Sequence, residues 1–443
     1  MTTLSQANYL LKSVYLNNDQ IEQFAQDTIL WQLFKKDNRW VQKVGAGQGS
    51  GTPAAYGMVW PIEDTYNTSV GMFSLSSPSL IPPGSRTGAQ AFVNLGASSA
   101  GVLFDAILFD AAKSSDQAFE NVVQRNMNTI FTDFKKFESR VMWGDGSGQL
   151  GVVSAINSLV ITLDTTWSGR PFPVTKFLRP NQYVTFLSSA YAADSGQNGV
   201  QITATDDVNG TITLASVTNI NVGDLIFNYQ SHTASVTAGN EPIGLRGIFG
   251  NNSTLFNINP ATNSLWTPAQ IVTGNTDPSE DFLEQLKAYI GVYGATPQTI
   301  VTHPLVVSKY GSQLKTYKRV MGNAENYAAA GGVKTSNNYQ KLEGPEFVGV
   351  GPLIPDSNTP MGTGNSFHLW MGDVNSTFIG EAGDMQWMEE DGKILKFLIG
   401  SATVASPSMA QYVAYLQHFW QIGCYRRRSG ALATNVNYLQ AAS

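Results

Sequence analysis

The residues of this chain that could do chemistry are few, and its glycine-rich runs come first. GAGQGSG (45–51) and GDGSG (144–148) have the composition of loops that cradle phosphate through backbone N–H groups. Neither is followed by the Lys-Ser/Thr of a P-loop, and GAGQGSG lacks the strand-turn-helix setting of a dinucleotide site. Turns and helix caps are the better reading of both. Asp145-Gly-Ser could open a calcium loop, but the remaining ligands of an EF-hand do not follow. Glu389, Glu390 and Asp391 could supply paired carboxylates for glycoside cleavage, yet they sit at an expected Asp391-Gly392 hairpin turn, where solvated acids are common. No GxSxG elbow is present. The one cysteine, Cys424, has only His418 near it in sequence. Strand alternation puts the two on one face of an apolar run, and a buried structural thiol outweighs a nucleophile there. His303 before Pro304 reads as the start of a helix rather than a ligand. Arg426, Arg427 and Arg428 form the only basic cluster, suited to packaged nucleic acid or to ion pairs with an acidic neighbour. Sequons such as Asn252-Ser-Thr are expected by chance in so Asn- and Thr-rich a chain. Nothing here assembles into an active site, so no catalytic, cofactor-binding or metal-ligating residue is assigned.

Composition narrows the classes further. At 443 residues the chain is long enough for about three structural units. Hydrophobic residues are 42% and charged residues only 14%, against about 25% in ordinary soluble domains. With 11% aromatics this is the reverse of a disordered composition. A weakly charged polar surface suits a protein that meets copies of itself, and also a secreted β-rich protein. A formal net charge of −6 gives no footprint for wrapping nucleic acid. A single cysteine excludes disulfides within the chain and multi-cysteine zinc sites, and four scattered His leave little for a metal centre. The first twenty residues lack a basic n-region and an apolar h-region, so no signal peptide is expected, and the start at Met1 argues against removal of a propeptide. No apolar run approaches 18 residues, so no membrane-spanning helix is expected.

The elements that would position these residues follow from periodicity. Residues 1–44 read as an arm with helical stretches, Asp19 capping a helix with Ile21, Phe24, Ala25, Ile29 and Leu33 on one side. Residues 45–105 open on GAGQGSGTPAAYG, run through MVWPI and SLSSPSLIPPGSRTG, and close on AQAFVNLG. That Gly, Pro and Ser content forbids helix, and the stretch far exceeds an ordinary connection. It reads as an extended β-hairpin that buries little within one chain and packs on something else. Residues 114–142 carry the strongest period: Phe119, Val123, Met127, Ile130, Phe134, Phe137 and Val141 make one apolar stripe, with Ser114, Ser115 and Asp116 as N-cap candidates. A helix of about 28 residues, ~42 Å long, ends at GDGSG; a coiled coil fits less well, for want of flanking charge pairs. Residues 166–240 hold short alternating runs with turn signals, including Asn209-Gly210, and read as a small inserted β-barrel or sandwich. From Asp277 the pattern is α/β: PSEDFLEQLKAYIGVYG is a capped helix with Phe282, Leu286, Tyr289 and Ile290 inward, followed by strand QTIVTH and helix PLVVSKYGSQLK. Strands return over 346–400, and the apolar end crosses the Arg triplet.

This order of parts resembles the major capsid proteins of tailed bacteriophages, which share the Hong Kong 97 fold. FTDFKKFESRVMWGDGSGQLGVV looks like that family's spine helix running into its glycine turn. PIGLRGIF, PSEDFLEQLKAYI and QTIVTHP look like the approach to its A-domain, and YLQHFWQIGCYRRRSGALA like its closing strands. The resemblance implies an α+β, Hong Kong 97-like capsid fold with this division: 1–44 N-terminal arm, 45–105 E-loop, 106–165 P-domain with the spine helix, 166–240 inserted β domain, 241–400 A-domain, and 401–443 closing strands shared by P- and A-domains.

The function so implied is a non-enzymatic, self-assembling shell of pentamers and hexamers enclosing double-stranded DNA. It would sit in a virion assembled in the host bacterial cytoplasm, without a membrane or cofactor. Separate scaffolding, cement and portal proteins are the further partners it leaves open. The 166–240 insertion departs from the family plan, and the N-terminal region is too short and uncharged for a fused scaffolding segment. Arg86 at the loop tip, Arg140 at the helix end, and Arg426, Arg427 and Arg428 are the assembly-interface residues expected, as intersubunit ion pairs. Two other functions stay open: the shell protein of a cellular nanocompartment, and a β-rich carbohydrate-binding or carbohydrate-active protein.

Overall fold

The computed structural model describes residues 29–44, 55–63, 69–72, 82, 84, 88–105, 116–163, 177–191, 193–232, 239–320, 346–347, 350–362, 366–389, 396–399 and 410–438. It is a mixed α/β molecule. The helices used below are α1 (Ile29–Leu33), α2 (Asp116–Val141), α3 (Leu245–Phe249), α4 (Glu280–Val292) and α5 (Pro304–Val320).

The apolar stripe read between 114 and 142 becomes α2, 26 residues and ~39 Å long. Its last turn does not fray, because a second helix closes it. The carbonyls of Met142, Trp143 and Gly144 accept from the N–H groups of Leu245, Arg246 and Gly247. The carbonyls of the turn that follows α2 thereby satisfy the orphan donors of α3. Glycine is required on both sides of this junction. Gly146 holds φ +87°, and a Cβ on Gly244 would stand 2.3 Å from the carbonyl oxygen of Met142.

A central sheet is built on one long strand, Ala410–Cys424. Along one edge it pairs antiparallel with Thr377–Glu381, Gln386–Trp387 and Lys396–Ile399; along the other it pairs with Gly96–Asp105. Lys35–Lys36 adds in parallel beside Thr377–Glu381. A second sheet runs in the order 270–272, 430–437, 366–372, 299–302, 351–355, 346–347, with α4 and α5 supplying Leu283, Leu286, Ile290, Val306, Val307 and Tyr310 to its core. At Val374–Ser376 and again at Arg427–Ser429 the chain passes directly from one sheet to the other through a single 3-10 turn. The closing strands therefore divide between both sheets.

Six strands between Gln149 and Asn228 close into a barrel, and Val160–Leu163 and Thr211–Leu214 alternate buried and half-buried positions as its wall requires. Its interior holds Leu150, Val153, Ile161, Val184, Phe186, Ile202, Ile212 and Ile226. The expected boundary at 166 thus falls inside the barrel, because its first two strands, Gln149–Asn157 and Val160–Leu163, follow directly from the α2 turn.

The hairpin reading of 45–105 needs two corrections. Ala55–Glu63 and Gly88–Asn94 do pair antiparallel, from Gly57 opposite Asn94 to Glu63 opposite Gly88, with Val41–Val44 as a third strand. Their base is not spare surface, however. Met58, Trp60 and Ala91 are fully buried in one cluster with Trp143, Phe249, Trp370, Phe378 and Trp420. Gly96–Asp105 belongs to the central sheet instead. In α4, Leu283, Leu286 and Ile290 face inward as an i, i+3, i+7 set, whereas Tyr289, expected inside, is exposed. GAGQGSG, Asp19 and its helix to Phe24, Ser114, Ser115, Glu390 and the Asp391-Gly392 turn lie outside the described residues, and the side chains of Phe119, Val123 and Met127 are likewise not described.

Candidate functional site

The five arginines singled out by sequence have different fates. Arg86 lies outside the described residues. Arg140 pairs within the chain: its Nη2 donates to Glu241 Oε1 at 2.5 Å, with both side chains largely buried, tying the end of α2 to the segment that returns from the barrel. Arg427 is fully buried. Its guanidinium donates to the carbonyls of Ile248 at 2.6 Å, Ser253 at 3.1 Å and Trp266 at 3.3 Å, and also to the Asn251 backbone. Burial without a carboxylate holds its pKa down to about 10. Arg140 and Arg427, expected as intersubunit contacts, are both buried and both hydrogen-bonded within one chain. Arg426 is exposed. Arg428 lies 4.1 Å over the Tyr293 ring and donates to the Ser264 carbonyl at 2.5 Å, leaving its outer edge toward solvent.

The other sequence candidates resolve as structure. Asp145 Oδ1 accepts from the backbone and hydroxyl of Ser147 at 3.0 and 2.6 Å, a turn cap rather than a cation loop. His303 Nδ1 accepts from the Leu305 N–H at 3.3 Å at the start of α5, and its ring stacks on Phe367 at 3.6 Å. Cys424 is buried and burial pushes its thiol up to about 12, so it offers no thiolate. Among the described residues no group of three or more His, Cys, Asp or Glu is arranged to hold a metal ion.

The sequence reading missed a buried charged chain in the centre of the molecule. His418 Nδ1 lies 2.7 Å from Glu138 Oε1 of α2, and His418 Nε2 lies 3.6 Å from Glu381 Oε1. Glu381 Oε2 in turn meets Lys36 Nζ at 2.8 Å. His418, Glu138 and Glu381 are at most 3% exposed, and Trp31 and Trp420 flank the imidazole at 5.7 and 6.3 Å. Burial by itself would lower the His418 pKa; its hydrogen bond to Glu138 and the nearby Glu381 carboxylate outweigh that and raise it to about 9. Burial raises the Glu138 pKa, while for Glu381 the contacts from His418 and Lys36 overcome burial and lower it. One local signal could have found this chain. Glu138 is four residues past Phe134 and three before Val141, so it is a carboxylate on the apolar stripe itself.

Several large apolar side chains of the described residues are exposed. Between the two hairpin strands Val70 and Met72 are 83% and 101% exposed. On the second sheet's flank Tyr289, Val292, Tyr293 and Leu265 are exposed beside Arg428.

No profile of a known protein family and no curated protein sequence matches the chain. Among solved structures it is similar to a chain of the cyanophage A-1(L) capsid asymmetric unit, at 12% identity and TM-score 0.49, covering 95% of this chain and 96% of that one. It is similar to a chain of the capsid of a native GTA particle at 12% identity and TM-score 0.44, over 95% and 96%. It is also similar to the holo-SrpI encapsulin complex from Synechococcus elongatus at 10% identity and TM-score 0.40, over 98% and 97%. Those three chains come from two capsids and an encapsulin complex.

Proposed function

We propose that the chain is a shell-forming subunit, the major capsid protein that builds the icosahedral head around the double-stranded DNA of a tailed bacteriophage, and that its role is structural rather than catalytic. One observation carries this reading. The hairpin of Ala55–Glu63 and Gly88–Asn94 is anchored by fully buried Trp60 and Met58, yet between its strands Val70 and Met72 stand almost wholly in solvent. Fixing the base of a hairpin while leaving its apolar residues uncovered gains nothing in one chain and becomes interface when a second chain covers them. On this reading the hairpin is the E-loop, α2 is the spine of the P-domain, the sheet bearing α4 and α5 is the A-domain, and the barrel is an accessory insertion on the shell exterior.

The test is purification of the full chain, followed by size-exclusion chromatography and negative-stain imaging. Closed isometric particles eluting in the void volume are expected, and a monodisperse monomer under every assembly condition refutes the proposal. Particles recovered from infected cells with DNA inside support the phage head, whereas particles from uninfected cells that hold an enzyme identify a nanocompartment instead.

A further inference from the structure

The exposed face of α4 is polarised along its length. Asp281, Glu284, Gln285, Ala288, Tyr289 and Val292 are all exposed, on the side opposite the buried Leu283, Leu286 and Ile290. Its start is acidic. Asp281 belongs to the first turn, where a carboxylate beside the Ser279 cap suits the helix dipole. Glu284 lies beyond that turn and gains nothing from it. Its end is aromatic and cationic: Tyr289 and Tyr293 are about half exposed, Val292 is 75% exposed, and Arg428 lies on the Tyr293 ring. Neither Asp281 nor Glu284 nor Arg428 has an ion-pair partner among the described residues. The two ends stand about 17 Å apart along the helix axis.

We propose that the two ends of this face are complementary docking patches for a second copy of the chain, joined head to tail. Arg428 and the Tyr289–Val292–Tyr293 end of one subunit receive Asp281 and Glu284 of the next. The inference rests on the shell reading and deepens it by naming the contact within a ring. The occupant follows from charge complementarity, since the acidic and cationic ends answer each other and neither has an ion-pair partner among the described residues. The fixed Arg428 guanidinium adds a geometric reason. Stacking on Tyr293 and donation to Ser264 hold it in place, so little side-chain freedom is lost when a carboxylate arrives. A head-to-tail contact uses two different patches on each subunit, so repeating it closes a ring when the rotation allows. The neighbour would cover Tyr289, Val292 and Leu265, which contribute area, while the ion pairs set orientation.

Two experiments on the full-length chain test this. The first introduces Asp281→Cys and Val292→Cys together and treats assembled protein with a short bismaleimide. Cys424 is buried, so the native background is silent. A denaturing gel should show a ladder ending at a closed ring, with no ladder from either single variant. Dimers alone would mean a two-fold contact and overturn the head-to-tail arrangement; intact particles with no ladder overturn the surface altogether. The second reverses the charge. Arg428→Glu should lower the yield of particles at least tenfold while leaving the subunit's melting curve within a few degrees of the original. Adding Asp281→Arg and Glu284→Arg to it should restore most of the yield. Normal assembly by Arg428→Glu, or no recovery in the combined variant, overturns the inference while the shell reading stands. Failure of the unmodified chain to assemble at all refutes the shell reading, and the ring with it.

Discussion

Replacing His418 with Gln should remove a pH-dependent part of the subunit's stability, and its size follows from the buried charged chain. In the folded protein His418 is 3% exposed and its pKa is raised from 6.5 to about 9 by Glu138 and Glu381. A raised folded pKa means that the folded state binds the proton more tightly. The contribution is therefore fully present below about pH 6.5 and fades as pH climbs through about 9. At about 1.4 kcal/mol per pH unit of displacement, it amounts to at most about 3 kcal/mol. Breaking a buried pair by removing one partner gives a similar figure, about 3–5 kcal/mol, because among the described residues Glu138 and Glu381 would be left with Lys36 as their only cation. The assay is guanidinium unfolding of dissociated subunits followed by tryptophan fluorescence, with Trp31 and Trp420 beside the imidazole as reporters. The original chain should lose about 3 kcal/mol between pH 6 and pH 9.5 relative to His418→Gln, and the two curves should converge above pH 9.5. A difference below about 1 kcal/mol at pH 6, or one that does not change with pH, refutes the assignment of His418 as the buried cation.

Three further outcomes follow from the geometry. Gly244→Ala should destabilise the subunit by about 2 kcal/mol or more in thermal or denaturant unfolding, because its Cβ would meet the Met142 carbonyl at 2.3 Å and force apart the α2–α3 junction. Arg427→Met should cost about 3 kcal/mol by leaving the carbonyls of Ile248, Ser253 and Trp266 without their donor, whereas Arg426→Ala should stay within about 0.5 kcal/mol; equal effects would contradict the split fates of this triplet. Exchanging residues 64–87 for an Asn-Gly turn keeps the Glu63–Gly88 pair, so the subunit should melt normally yet fail to form shells in negative-stain images. Normal shells from that variant would refute the E-loop reading.

Deleting 50–90, which the sequence alone would suggest, is the wrong perturbation, and the reason is instructive. Gly, Pro and Ser content argued against helix, and the described residues of the stretch hold none, but composition does not tell which apolar residues meet partners in the same chain. Trp60 is buried by Phe256 and Phe378, residues about 200 and 320 positions away, and its indole donates to the Cys424 carbonyl at 3.2 Å. The Arg triplet teaches the same point. Three neighbouring identical side chains look alike in sequence, and only the 3-10 turn at Arg427–Ser429 sends one inward and leaves the others at the surface.

By itself the sequence determined what depends on local period. The seven-residue stripe set the extent of α2 to within two residues at its start, Ser279 and the acids after it placed the start of α4, and short alternation with an Asn209-Gly210 turn announced a β unit. Those patterns are legible because a helix or strand repeats its exposed and buried faces over neighbouring residues. Tertiary structure decided what depends on distant partners. It drew 149–163 into the barrel, carried one chain end through two sheets, and closed the Lys36–Glu381–His418–Glu138 chain across separations that reach 280 residues and more. A buried charge is tolerable only where other elements deliver its counter-charge, and no periodicity encodes which elements those will be.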